Sequence, residues 1–156
     1  MRTIFLLFLF SQLGIAQKHY QKNYFDNGQL ESAGWMENGQ KSKFWYYYHK
    51  NGNLKAKGHY KVNKKTKFWA FYNESGQLES EGHFNRGKRI NWWVYYDNKG
   101  RVTHKCQVHN NKKNGYCLMY TNGKLSSAVK YKFDKKIKEW TDLRSFKKEN
   151  RLSDLR

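Results

Sequence analysis

The chain has 156 residues, no proline, and 31 Lys and Arg against 12 Asp and Glu, a formal charge of +19. That length bounds it to one domain, and the charge directs it to polyanionic targets, with an attraction that salt weakens. Two cysteines and six scattered histidines exclude a four-ligand zinc cluster, and no other metal or cofactor site is expected. In chain order, residues 1–16 come first and read as a cleaved signal peptide. Arg2 supplies the positive start, Thr3 to Ile15 the apolar run, and Gly14 and Ala16 the small positions before a cut after Ala16. The run falls short of the ~20 apolar residues of a membrane span, and no later segment is apolar enough to form one. Export predicts a secreted or periplasmic protein and an oxidising compartment.

Residues 17–23 read as a linker. From Tyr24 the chain repeats. Gly28, Gly52, Gly76 and Gly100 are spaced by 24 residues and Gly123 follows after 23, a period that signals a repeat array. Each unit opens on an aromatic and a polar turn, Tyr24 to Gly28 in the first. An aliphatic follows two residues after the glycine (Leu30, Leu54, Leu78, Val102, Leu125), and a second glycine after six in three units (Gly34, Gly58, Gly82). A second turn comes next, as at Asn38-Gly39 and Arg86-Gly87, and an aromatic cluster closes the unit: Phe44-Trp45-Tyr46, Phe68-Trp69, Trp92-Trp93. Trp140 keeps the same offset from Gly123. Period-two alternation broken by Asn-Gly, at 27–28, 38–39, 51–52, 114–115 and 122–123, predicts strands and hairpins. The expected fold is all-β: a single-layer antiparallel meander of about ten strands in five hairpin repeats over residues 24–140. Its turns are expected near 26–28, 38–40, 50–52, 62–64, 74–76, 86–88, 97–100, 110–113, 121–123 and 134–135. Residues 141–156 break the period and form either a short cap or a disordered basic tail.

With the second turn centred between glycine+11 and glycine+12, glycine+6 faces glycine+17. That pairs Gly34 with Trp45, Gly58 with Trp69 and Gly82 with Trp93, each ring covering bare backbone. In the fourth unit the same columns hold Cys106 and Cys117, which predicts a cross-strand disulfide.

The run YFDNGQLESAGWMENGQKSKFWYYYHKNGNLKAKGHY resembles the MORN-repeat variant family, over five units of residues 24–140 with the fifth degraded. The resemblance implies a curved strip of β-hairpins and a membrane-binding or antitoxin-like role. Choline-binding wall repeats are superficially similar through Gly34-Trp35 and Trp45-Tyr46-Tyr47, but Gly-Trp occurs once and the equivalent positions are Gly58-His59 and Gly82-His83.

No nucleophile elbow, HExxH or phosphate loop is present, so a non-enzymatic binding or scaffolding module is expected. Lys50, Lys55, Lys57, Lys61, Lys64, Lys65 and Lys67 crowd residues 49–67 without an acid, and form the candidate anion-binding face. Trp35, Tyr46 and Trp92 are the candidate exposed aromatics beside it. The expected partner is an anionic lipid or envelope polyanion, with an acidic protein neutralised in antitoxin fashion as the rival and a wall glycan or choline third. Export argues against nucleic acid. Open sheet edges allow self-association unless lysine blocks them. His59 and His83 share a column one repeat apart and read as polar sheet-face residues.

Overall fold

In the computed structural model, residues 17–155 are described, and the signal peptide expected over 1–16 lies outside them. The described chain is one antiparallel sheet in strict sequence order. Its strands are β1 (Lys18–Tyr24), β2 (Leu30–Glu37), β3 (Gln40–Tyr48), β4 (Leu54–Lys61), β5 (Lys64–Tyr72), β6 (Leu78–Asn85), β7 (Lys88–Tyr96), β8 (Val102–His109), β9 (Lys112–Thr121), β10 (Lys124–Lys132) and β11 (Lys135–Trp140). The meander is thus the predicted one with eleven strands rather than ten. The extra strand comes from residues expected as a linker: Lys18–Tyr24 pairs along β2, with Gln21 opposite Gly34. Both edge strands, β1 and β11, carry lysines, which disfavours pairing with another chain.

Two kinds of turn alternate as far as β9, after which the remaining turns are both of the shorter kind. Five-residue loops such as Phe25 to Gln29 close through the Gly28 N–H to Phe25 carbonyl bond. Two-residue loops, with both residues left-handed, link the other strands: Asn38-Gly39, Val62-Asn63, Arg86-Gly87, Asn110-Asn111, Asn122-Gly123 and Phe133-Asp134. That backbone twist matches the sheet's own. The turns fall within a residue or two of their predicted positions, while the Asn-Gly pair at 114–115 is not a turn and lies inside β9. Val62, at φ 51°, is the β-branched member of this left-handed set. It is also well exposed, so Val62→Asn removes backbone strain at little cost in packing. The expected gain is about 1 kcal/mol, read as a rise in Tm of about 2–4 °C.

The predicted register holds. Gly34 faces Trp45, Gly58 faces Trp69, Gly82 faces Trp93, and Cys106 faces Cys117. A Cβ added at Gly82 would stand 2.6 Å from the Trp93 ring, and at Gly34 and Gly58 closer still to Trp45 and Trp69. Just past each glycine the register shifts by two residues, leaving a bulge on the longer strand with a left-handed residue: Lys43, Lys67 and Asn91. The equivalent residue in the fourth hairpin is Gly115, at φ 119°, which explains that glycine. The bulge leaves a carbonyl out of the ladder, and the indole N–H of the neighbouring tryptophan takes it: Trp45 to Trp35 O (3.0 Å), Trp69 to His59 O (3.1 Å), Trp93 to His83 O (3.3 Å). Each tryptophan therefore covers a glycine and satisfies a carbonyl at once.

Trp140 departs from this pattern. The last hairpin carries a one-residue shift, so Trp140 pairs with Ala128 rather than with Val129. A one-residue difference turns a side chain to the other face, and there Trp140 packs against Tyr116 and Phe146. Phe146 belongs to α1 (Leu143–Glu149), capped by the Asp142 side chain accepting from the Ser145 N–H. A 3-10 turn, Leu152–Leu155, follows. The segment after residue 140 is thus a folded cap over the last strands. It is fastened by the Tyr116 hydroxyl to Asn150 (2.6 Å), the Gln107 amide to the Asp154 carbonyl (3.0 Å) and the Lys138–Glu149 ion pair.

Candidate functional site

Directly paired residues share a face, so the register divides the surface into two. The tryptophan face carries Trp45, Trp69 and Trp93 in one row with the paired glycines and the disulfide. All three indoles are fully buried although the sheet is a single layer, because other rings wall them in. Trp45, Tyr47, Trp69, Phe71, Trp93 and Tyr95 form a continuous column with centroids 5.9–6.5 Å apart. The row ends where Cys106 and Cys117 are bonded to each other, fully buried between Trp93 and Val129.

Over this column lies a ladder of cations, one per repeat, thirteen residues after each repeat glycine. Lys41 Nζ stands over Trp45 (4.4 Å), Tyr47 (5.1 Å) and Tyr60 (5.6 Å). Lys65 Nζ stands over Trp69 (4.5 Å), Phe71 (4.9 Å) and Phe84 (5.3 Å). The Arg89 guanidinium lies 5.3 Å from Trp93, and Lys113 Nζ 5.0 Å from Tyr131. Each contact is a cation–π attraction. The turn of the following repeat grips the ladder backbone: Asn63, Asn111 and Asp134 accept through Oδ1 from the N–H of Lys41, Arg89 and Lys113, each at 2.7 Å. Burial lowers the Lys41 and Lys65 pKa values, and for Lys65 the neighbouring Lys41 and Arg89 lower it further. The Tyr47 hydroxyl, buried and bonded to Tyr60, is pushed far up. His104, stacked 4.3 Å from Tyr95, is pushed down by burial and by Lys113.

The opposite face is open over the N-terminal strands. Tyr20, Tyr24, Trp35, Tyr46 and Phe68 point to solvent there; Trp35 is 38% and Tyr46 37% exposed. Trp92, expected among the exposed rings, is half-buried beside the cluster under the cap, because its strand lies near the end that α1 covers. The seven candidate lysines do not share one face. Lys57, Lys61 and Lys64 lie on the open face, opposite Ala70 and each other. Lys65 belongs to the tryptophan-face ladder, and Lys55 lines a pocket beside it. Lys50 sits in a turn, and Lys67 is a left-handed bulge residue. His59 and His83 lie apart on the open face, edge-on to Phe44 (4.8 Å) and Phe68 (5.4 Å); burial and Lys67 lower the His59 pKa. Among the described residues no group of three His, Cys, Asp or Glu side chains could hold a metal. The ladder itself was not anticipated, although a cation recurring thirteen residues after each glycine is visible in the sequence.

The ring cages of the tryptophan face already hold the protein's own amines, which leaves no vacant box for choline at Trp45, Tyr47 and Tyr60.

Residues 45–61 and 69–86 match the family model described as MORN repeat variant, on strands β3 to β6. The two matches bear out the resemblance read from the repeat, and that family suggests a repeat-based binding module. No curated protein matches the chain. A solved structure titled "Crystal structure of GtfA/B complex bound to UDP and GlcNAc" aligns with a TM-score of 0.44 at 10% identity, over 69% of this chain and 24% of that one. This chain thus spans about a quarter of that chain's length.

Proposed function

We propose that this protein is an exported, non-enzymatic binding module that lays its open face on an anionic membrane surface. The observation that carries the reading is the mixture on that one face: the exposed rings of Tyr20, Trp35, Tyr46 and Phe68 beside Lys22, Lys57, Lys61 and Lys64. Aromatic rings settle at the headgroup level of a bilayer. Each lysine held near an anionic leaflet adds about 1 kcal/mol. The sheet brings the two together by alternation alone, since a strand shows every second side chain to one side. Export rests on the leader read at residues 1–16, and attraction at long range on the excess of Lys and Arg over Asp and Glu that remains after its removal.

Vesicle cosedimentation tests this. Binding is expected to vesicles containing phosphatidylserine and not to pure phosphatidylcholine, and to fall steeply as salt rises. Replacing Lys57, Lys61 and Lys64 by Gln should weaken it about tenfold or more. Neutralising Arg144, Lys147, Lys148 and Arg151 in the cap should cost much less. Equal losses from the two sets, or no binding to anionic vesicles, would refute the open face as the docking surface.

A further inference from the structure

We infer that the tryptophan face is a second anion site, independent of the open face, which binds a linear acidic glycan running across the strands along the Lys41–Lys65–Arg89–Lys113 ladder. The rungs sit on β3, β5, β7 and β9, every second strand. Strands lie ~4.8 Å apart, so the cations recur about every 9.6 Å. The turns that bond to the backbone of the ladder residues hold that spacing.

Three observations point to a ligand. First, among the described residues no carboxylate forms an ion pair with the charged group of any of the four rungs, whereas Lys18, Arg101, Lys136 and Lys138 each have one. Lys41 bonds only the Tyr47 hydroxyl (2.9 Å) and Arg89 the Tyr95 hydroxyl (3.4 Å), while the Lys65 amine has no hydrogen-bond partner there. These are half-buried cations in a row, and at Lys65 burial and the neighbouring Lys41 and Arg89 disfavour the charge; an anion beside it reverses that cost. Second, a pocket of about 240 Å³ opens beside the Lys65 rung, its lining including Glu31, Tyr47, Lys55, Tyr60, Lys65 and Phe71. It offers ring faces for sugar C–H groups, hydroxyls for sugar hydroxyls and two amines for a carboxylate. Third, the spacing selects among polyanions. A nucleic-acid strand carries a charge every ~3.4 Å, much too dense for the ladder, and a bilayer presents a plane rather than a line. A polysaccharide with one carboxylate per disaccharide places its charges about one rung apart. Two carboxylates reach this ladder and oppose the ligand, Glu31 at Lys41 and Asp134 at the Lys113 backbone N–H.

Hyaluronan oligosaccharides, which carry one carboxylate per disaccharide, are the probe, with neutral dextran as control, titrated calorimetrically at moderate salt. Affinity should rise several-fold with each added disaccharide up to the four that match four rungs, then level off; dextran should not bind. The triple variant Lys41→Met, Lys65→Met, Arg89→Met keeps aliphatic stems over the rings and should lose binding at least tenfold. Lys57→Met, Lys61→Met, Lys64→Met removes the same charge from the open face and should leave hyaluronan binding within about twofold. Vesicle binding should respond in the opposite order, so failure here is distinct from failure of the membrane reading. Glu31→Gln should tighten binding, and Lys41→Arg with Lys65→Arg should preserve it; these exposed or charge-keeping changes decide the matter if the methionine triple does not fold. Equal losses from the two triples, an affinity indifferent to oligosaccharide length, or no tightening in Glu31→Gln would overturn the proposal.

Discussion

Gly58→Ala should destabilise the protein by about 1–3 kcal/mol, the range for forcing atoms into a packed site, although it adds only a methyl group to a strand. The reason is the absence of room: the new Cβ would press well inside van der Waals contact of the Trp69 ring, which is fully buried and held on both sides by Tyr47 and Phe71. Moving the ring also breaks its bond to the His59 carbonyl, and an orphaned buried acceptor costs about 1–3 kcal/mol. Trp69→Ala alone should cost about 3–5 kcal/mol. The two changes share one contact, so the double variant should lose clearly less than the sum, because alanine at position 58 no longer meets a ring. In a repeat array damage stays near its source, so hydrogen exchange should rise first in β3 to β6. Urea unfolding followed by far-UV circular dichroism reads all three variants without depending on the deleted indole. A Gly58→Ala midpoint equal to the parent's, or strict additivity in the pair, would show that the ring does not rest on the glycine.

That contact is legible in the sequence because two columns of the repeat, glycine+6 and glycine+17, vary together. A register hypothesis needs only the turn position to bring them face to face. What the repeat conceals is the bulge. Lys43, Lys67 and Asn91 take left-handed backbone without a glycine to announce it, and Gly115, which does announce it, sits in an Asn-Gly pair and imitates a hairpin turn. Every assignment of side chains to faces depends on how many residues that bulge holds. The lysines of residues 49–67 are adjacent in sequence, yet Lys64 and Lys65 lie on opposite sides of the sheet because neighbours in a strand always do. Trp140 keeps the repeat offset, yet the shorter bulge before it turns it to the open face. That inversion gives Phe146 a partner, and with it the tail becomes a cap instead of a loose arm. β1 escaped notice for another reason: no turn glycine precedes it, so the period begins after it although its pairing with β2 is complete.

Reducing the Cys106–Cys117 bond should lower stability by about 2–3 kcal/mol, and replacing the pair by glycine and tryptophan should restore most of the loss. The first figure follows from the eleven-residue separation of the two cysteines, slightly under the ~3 kcal/mol of a fifteen-residue loop. The second follows from their place in the row. Cys106 faces Trp93 on one side and Cys117 on the other, as Gly58 faces Trp45 and Trp69, and as Gly82 faces Trp69 and Trp93. The disulfide thus occupies the fourth place of a pattern whose first three places are glycine under tryptophan. Cys106→Gly would return bare backbone to that place, and Cys117→Trp would lay a ring over it, within reach of the Gln107 carbonyl that corresponds to those of Trp35, His59 and His83. Cys106→Ala with Cys117→Ala removes the cross-link and supplies nothing in its stead, so it should be the least stable of the three forms. Dithiothreitol should shift the unfolding midpoint of the parent and leave both variants unmoved. Denatured but unreduced parent protein should take up no alkylating agent. Two labelled thiols under those conditions, or a glycine–tryptophan variant no more stable than the double alanine, would show that the disulfide does not stand in for the packing the other repeats obtain from their indoles.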